Sequence, residues 1–224
     1  IGFNANGASN GVLFSDTSNF DWMEFEDCFF NIAAANLIHG DANLGFDLKV
    51  DTCTGTLGRI WYTTGALVGM DNFYGINNIL NIVFNIWDND NDFGNPDRFW
   101  MQGGRYIIGT STRLQGVDNI FQVRELTIES GAVIFTTDAE EQSCKNFVFQ
   151  DLTIIATGVG CKFANFGSHA GNFCQGLFID GVFGYESSGV NATGAFLTVE
   201  DTWQNVFIGT IAQYGWDSTY SGPS

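Results

Sequence analysis

Carboxylates are the side chains of this sequence with the most capacity for chemistry. Asp21, Glu24, Glu26 and Asp27 crowd one short segment, and Asp138, Glu140 and Glu141 crowd another just before Cys144. Hydrolysis of a glycosidic bond needs one carboxyl as acid and a second as base or nucleophile, ~5 to 10 Å away. Glu24 and Glu26 are two residues apart and would face the same side of a strand, while Asp138 and Glu140 make a second candidate catalytic pair. Any acidic protein built from strands offers such pairs, so neither defines an active site on its own.

The densest polar run is Trp87-Asp88-Asn89-Asp90-Asn91-Asp92-Phe93-Gly94, with Asp97 close behind. Alternating Asp residues followed by Gly can wrap oxygen ligands around Ca²⁺, which makes Asp88, Asp90 and Asp92 candidate ligands and calcium the one cofactor suggested. The run departs from an EF-hand loop, because Gly94 falls one position late and Phe99 stands where the bidentate carboxylate belongs. A solvated acidic loop is the competing reading.

Lyase chemistry on uronates wants a base for the proton and cations for the carboxylate. The basic residues are spread singly, at Lys49, Arg59, Arg98, Arg105, Arg113, Arg124, Lys145 and Lys162, and form no lyase motif. His39 and His169 sit in turn-like sequence without a partner histidine nearby. Aromatic rings are the other resource. Trp61, Tyr62, Trp87 and Tyr106 are candidates for stacking on the CH faces of sugars, as are Tyr214 and Trp216. Trp100 and Trp203 are assigned to contacts between subunits, where exposed apolar patches are used, and Trp22, inside an alternating run, is assigned to the core.

The elements that would position these groups are strands. Twenty-two Phe, 6 Trp and 28 Gly with only 2 Pro supply rigid aromatic volume and tight bends. With 25 acids against 8 bases the formal net charge is −17, which argues against nucleic acid and against anionic membrane surfaces, both of which need clustered Lys and Arg. No apolar run is long enough to span a bilayer as a helix. Five cysteines without metal-type spacing read as buried free thiols. Ile1 in place of Met points to a processed chain or a piece of a longer polypeptide.

One pattern recurs along the chain, an Asn followed by alternating apolar positions, starting at Asn19, Asn43, Asn72, Asn119, Asn146, Asn172 and Asn205, with a degenerate copy at Asn95. The period of roughly 23 to 33 residues is that of a solenoid coil. The expected fold is therefore all-β, a single right-handed parallel β-helix over 19–212, preceded by a linker at 1–18 and followed by a C-terminal tail at 213–224. Asn19, Asn72, Asn119, Asn146, Asn172 and Asn205 are expected to form a ladder at one corner, where an amide can donate and accept between coils and tolerate left-handed angles.

The repeats NFVFQDLTI and VRELTIES resemble the coil signature of the pectate-lyase-like β-helix superfamily, which includes polysaccharide lyases, glycoside hydrolases and bacteriophage tailspikes. The likeness covers most of residues 19–212. Phe-rich coils with free thiols and no signal peptide are more similar to a phage virion protein than to a secreted enzyme, and the resemblance implies a homotrimer. The leading expectation is a virion protein, a tail spike or fibre segment that displays a surface to bacterial glycan alongside other virion proteins. A capsular polysaccharide depolymerase and a capsid decoration protein are the alternatives.

Overall fold

A computed structural model describes residues 2–4, 10–14, 22–40, 47–63, 71–89, 98–113, 117–129, 132–137, 144–167, 174–187, 192–200 and 203–222. All regular structure in them is strand, and every pairing between strands is parallel. The chain is a parallel β-solenoid, as its repeats imply.

Three sheets run along the solenoid. The first has eight strands, Trp22–Glu26, Asp47–Asp51, Asn72–Ile76, Arg98–Gln102, Val117–Gln122, Lys145–Gln150, Cys174–Asp180 and Trp203–Ile208, stacked in chain order. The second passes through Phe29–Gly40, Thr54–Thr63, Ile79–Ile82, Arg105–Ile108, Glu125–Ile128, Thr153–Ala156, Val182–Glu186 and Ile211–Tyr214. The third holds Thr112–Arg113, Val133–Thr137, Lys162–Phe166, Ala192–Val199 and Trp216–Ser221, so about five turns carry all three faces. In the first coils Phe29–Gly40 bends at a register shift between Ile32 and Asn36, and its second half continues toward the third face.

Period-2 alternation forms these strands. Leu48 and Val50, Phe73 and Gly75, and Phe99 and Met101 point inward, with their neighbours turned to the surface. Between the first and second sheets the chain usually turns in two residues. The first adopts positive φ in most coils: Asp27 (51°), Thr52 (50°), Asn77 (50°), Gly103 (63°) and Asp151 (54°), while the single-residue turn at Gly181 (65°) does the same and the turn at Val123 does not. Short polar side chains and Gly tolerate that conformation best. At Thr52 the β-branched strain is offset by a hydrogen bond in which its hydroxyl donates to Asp27 Oδ1 at 2.7 Å.

The corner is thus not the expected Asn ladder. Coil lengths differ, so Asn residues that align in the sequence fall into different columns. Asn72 lies between Asp47 and Arg98 and donates to Asp47 Oδ1 at 2.6 Å. Asn119 pairs with Phe147, points inward and accepts from the Phe99 N–H. Asn146 and Asn205 are exposed at positive φ with Gly176 between them in register. Asn19 and Asn172 lie outside the described residues. Gln122 and Gln150 join two rungs amide to amide, Gln122 donating to Gln150 Oε1 at 3.0 Å.

Both expected boundaries also move outward. Gly2–Asn4 and Asn10–Phe14, inside the supposed linker, pair with Phe29–Gly40, and Trp216–Ser221, inside the supposed tail, pairs with Ala192–Val199.

The interior changes character along the axis. Early coils are mostly aliphatic, with Leu48, Val50, Leu57 and Ile60 around the buried thiols Cys28 and Cys53. Burial pushes the Cys53 thiol up to about 11, well away from reactive thiolate. Later coils hold a Phe stack: Phe121 lies 4.3 Å from Phe99 and Phe135, and 5.1 Å from Phe149 in nearly parallel planes. Two tryptophans close its C-terminal end. Trp203 packs on Phe147 and Phe166, and Trp216 packs on Phe196 while its indole N–H donates to the Cys161 carbonyl at 2.7 Å.

Candidate ligand-binding face

The candidate groups scatter when placed on this frame. Glu24 and Glu26 do share the outward side of Trp22–Glu26, and both are exposed. Lys49 on the next rung lies 2.7 Å from Glu24 and 3.1 Å from Asp51. Its hydrogen bond holds the Glu24 carboxyl below the usual range, which keeps Glu24 ionised and unsuited to donating a proton. Asp138 and Glu140 lie outside the described residues, as do Asp90 and Asp92. Asp88 sits on Trp87–Asn89 opposite Tyr62, with its side chain outside the described set. Among the described residues no three His, Cys, Asp or Glu side chains come together to hold a metal.

The aromatic assignments need correction. Trp61 and Tyr106 are fully enclosed in the core and present no ring face to a sugar. Tyr106 belongs to a buried polar cluster: Asn78 donates to its hydroxyl oxygen at 3.0 Å and to the Val50 carbonyl at 2.8 Å, and accepts from Cys53 N at 2.9 Å. Burial pushes the Tyr106 hydroxyl far up. The ring of half-buried Tyr62 is covered by the Arg59 guanidinium at 5.2 Å. The Trp87 side chain is outside the described set. Trp203 and Trp216 are core plugs, neither a subunit contact nor a sugar platform. Trp22, expected inside, is 49% exposed.

The first sheet instead builds a column that sequence reasoning passed over. On its outward side Tyr74, Trp100, Ile120, Val148, Phe178 and Phe207 stand in register on six consecutive rungs. Trp100 is 44% exposed and Phe207 53%. Phe178 and Phe207 stack at 4.9 Å, and Trp22, two positions from Glu24 on the first rung, reaches across to within 5.9 Å of the Tyr74 ring. Near Trp100 the surface dips into a depression of about 170 Å³, lined by Asn72, Tyr74, Arg98 and Ile120 among others. Along one side runs a polar column in which Gln102, Gln122 and Gln150 follow one another and lead to Asp180. The N–H of Thr210 donates to Asp180 at 2.7 Å and holds its carboxyl below the usual range.

A sequence signal for this column exists. An alternating strand with one dry face should not carry three apolar residues in a row, yet Phe99-Trp100-Met101, Phe147-Val148-Phe149, Leu177-Phe178-Ile179 and Val206-Phe207-Ile208 all do. The middle residue of each triplet is the outward one by strand parity, and on the last rung Val206 is exposed beside Phe207.

The arrangement defines a rigid parallel β-solenoid with an apolar, amide-flanked surface stripe. Comparison with known protein families, with curated proteins and with solved structures finds no match to the chain.

Proposed function

We propose that this protein is a bacteriophage virion protein, a trimeric β-helical tail spike or fibre segment that attaches to a bacterial surface glycan through the outward column of the first sheet. The observation that carries this reading is the outward register of half-buried Tyr74 and Phe178 with exposed Trp100 and Phe207 beside an amide column. Aromatic faces pack against sugar CH groups, and flanking amides can donate to and accept from hydroxyls. A stiff rod with a continuous interior suits attachment, because the binding groups are pre-ordered on strands and lose little entropy on contact.

The reading is one of binding, and the Glu24 carboxylate, tied to Lys49, is poorly suited to act as a general acid there. A contact between subunits is the competing use of the same apolar column. Trp100→Ser separates the two. As an attachment face, the variant keeps a sedimentation mass about three times the 24.5 kDa chain and loses retention on purified host capsule or lipopolysaccharide. A mass that falls to the single chain, with glycan retention unchanged, would reassign the column to assembly.

A further inference from the structure

The glycan reading leaves open which class of polymer the face accepts and how it lies. We propose that the face takes an uncharged polysaccharide laid along the solenoid axis and rejects polyuronates. The inference rests on the attachment reading and adds a direction and a charge to it.

Direction follows from register. Six apolar outward side chains occupy one position on successive rungs, and neighbouring strands are ~4.8 Å apart. The platform is therefore long along the axis and one side chain wide across it. A chain crossing the strands' length would meet a single ring, whereas one running along the axis meets a new apolar surface on every rung. Gln102, Gln122 and Gln150 lie on the same rungs as Trp100, Ile120 and Val148, so the three middle steps along the axis also offer an amide to a hydroxyl.

Charge follows from what flanks the column. Glu24, Glu26, Asp47, Asp51 and Asp180 stand on this sheet's outward side or its margins, and the whole chain carries −17. Lys49 is already held by Glu24 and Asp51, and the hydrogen bonds to Glu24 and Asp180 keep both carboxylates ionised. A polymer bearing a carboxylate on every sugar would approach like charge toward both ends of the column, with Arg98 a single cation at the depression and no row of cations among the described residues to pair with the rest of its length. Hydroxyls and N-acetyl groups meet no such barrier.

The test uses the full chain with two readouts, tryptophan fluorescence and affinity electrophoresis. The probes are chitin, cellulose and maltose oligosaccharides from disaccharide to hexasaccharide, and polygalacturonate and alginate at low salt, where repulsion is strongest. At least one neutral series should bind, tightening roughly tenfold or more from disaccharide to hexasaccharide as further rungs are engaged, while both polyuronates leave mobility and fluorescence unchanged. Trp100→Ala and Gln122→Ala should each weaken the hexasaccharide without moving the urea midpoint. Polyuronate binding as tight as that of the neutral series overturns the charge assignment but leaves attachment standing. A disaccharide that binds as tightly as the hexasaccharide overturns the axial path. No binding by any of these sugars overturns this inference, while retention on purified host capsule or lipopolysaccharide decides the attachment reading separately.

Discussion

The inward and outward columns of the first sheet are both apolar, yet only one of them makes the fold. Inward, Leu48, Phe73, Phe99, Phe147 and Leu177 join a continuous interior, with buried Asn119 standing between Phe99 and Phe147. Outward, Tyr74, Trp100, Ile120, Val148, Phe178 and Phe207 repeat nearly the same composition against solvent. Burial explains the first column, since enclosing a large side chain stabilises by about 1.5–3 kcal/mol. Nothing in the monomer's folding requires the second. Apolar side chains kept in register on a wet surface are accounted for by contact with something outside the chain.

The contrast is sharpest at the centre of the interior stack. Phe149 touches Phe121, Phe135, Phe163 and Phe166, so Phe149→Ala should lower unfolding stability by about 3–5 kcal/mol in urea titration. A loss below about 1 kcal/mol would mean that the stack is not the main support of the later coils. Next in size is Asn78→Ala, which leaves Cys53 N and the Val50 carbonyl without their side-chain partner. About 1–3 kcal/mol should be lost, and amide exchange should speed up at Cys53 before it does in the later coils.

Outward substitutions should cost less. Phe207→Ser removes a stacked ring from Phe178 on the last rung of the sheet and should lower stability by about 0.5–1.5 kcal/mol. The smallest effect concerns Glu24 and Lys49. Because Lys49 depresses the folded Glu24 pKa, the pair contributes stability above the unfolded carboxylate pKa and loses it as pH falls through the lower folded value. Lys49→Ala should therefore lower stability slightly at neutral pH and leave it unchanged below the folded carboxylate pKa, so that the acid limb is slightly flatter. A large drop at neutral pH would show that the pair does more than decorate the surface.

Much of this organisation could be read from residues alone, and the parts that could not have definite causes. Alternation in segments such as Phe147, Phe149, Leu152 and Ile154 marked strands with a buried side, and the recurrence of such segments implied stacking in parallel. The corner was misplaced because Asn is only one of several residues that accept positive φ. Asp27, Thr52, Asn77, Gly103 and Asp151 share a position without sharing a letter. The candidate sugar platforms failed for a related reason. Trp61 and Tyr106 are aromatic in sequence, but only strand parity and register decide which side of the wall a ring occupies. Trp100, one residue from buried Phe99, shows how narrow that margin is.

That neighbouring pair also provides the most direct test of the account. Phe99→Ala and Trp100→Ala alter adjacent residues of one strand on opposite sides of the wall, and both can be carried through urea unfolding and glycan affinity electrophoresis in parallel. Phe99→Ala should lose about 3–5 kcal/mol of stability, whereas Trp100→Ala should stay within about 0.5 kcal/mol of the parent and lose glycan retardation. Equal destabilisation by the two variants, or full glycan retardation in Trp100→Ala, would contradict the division between a column that makes the fold and a column that meets a ligand.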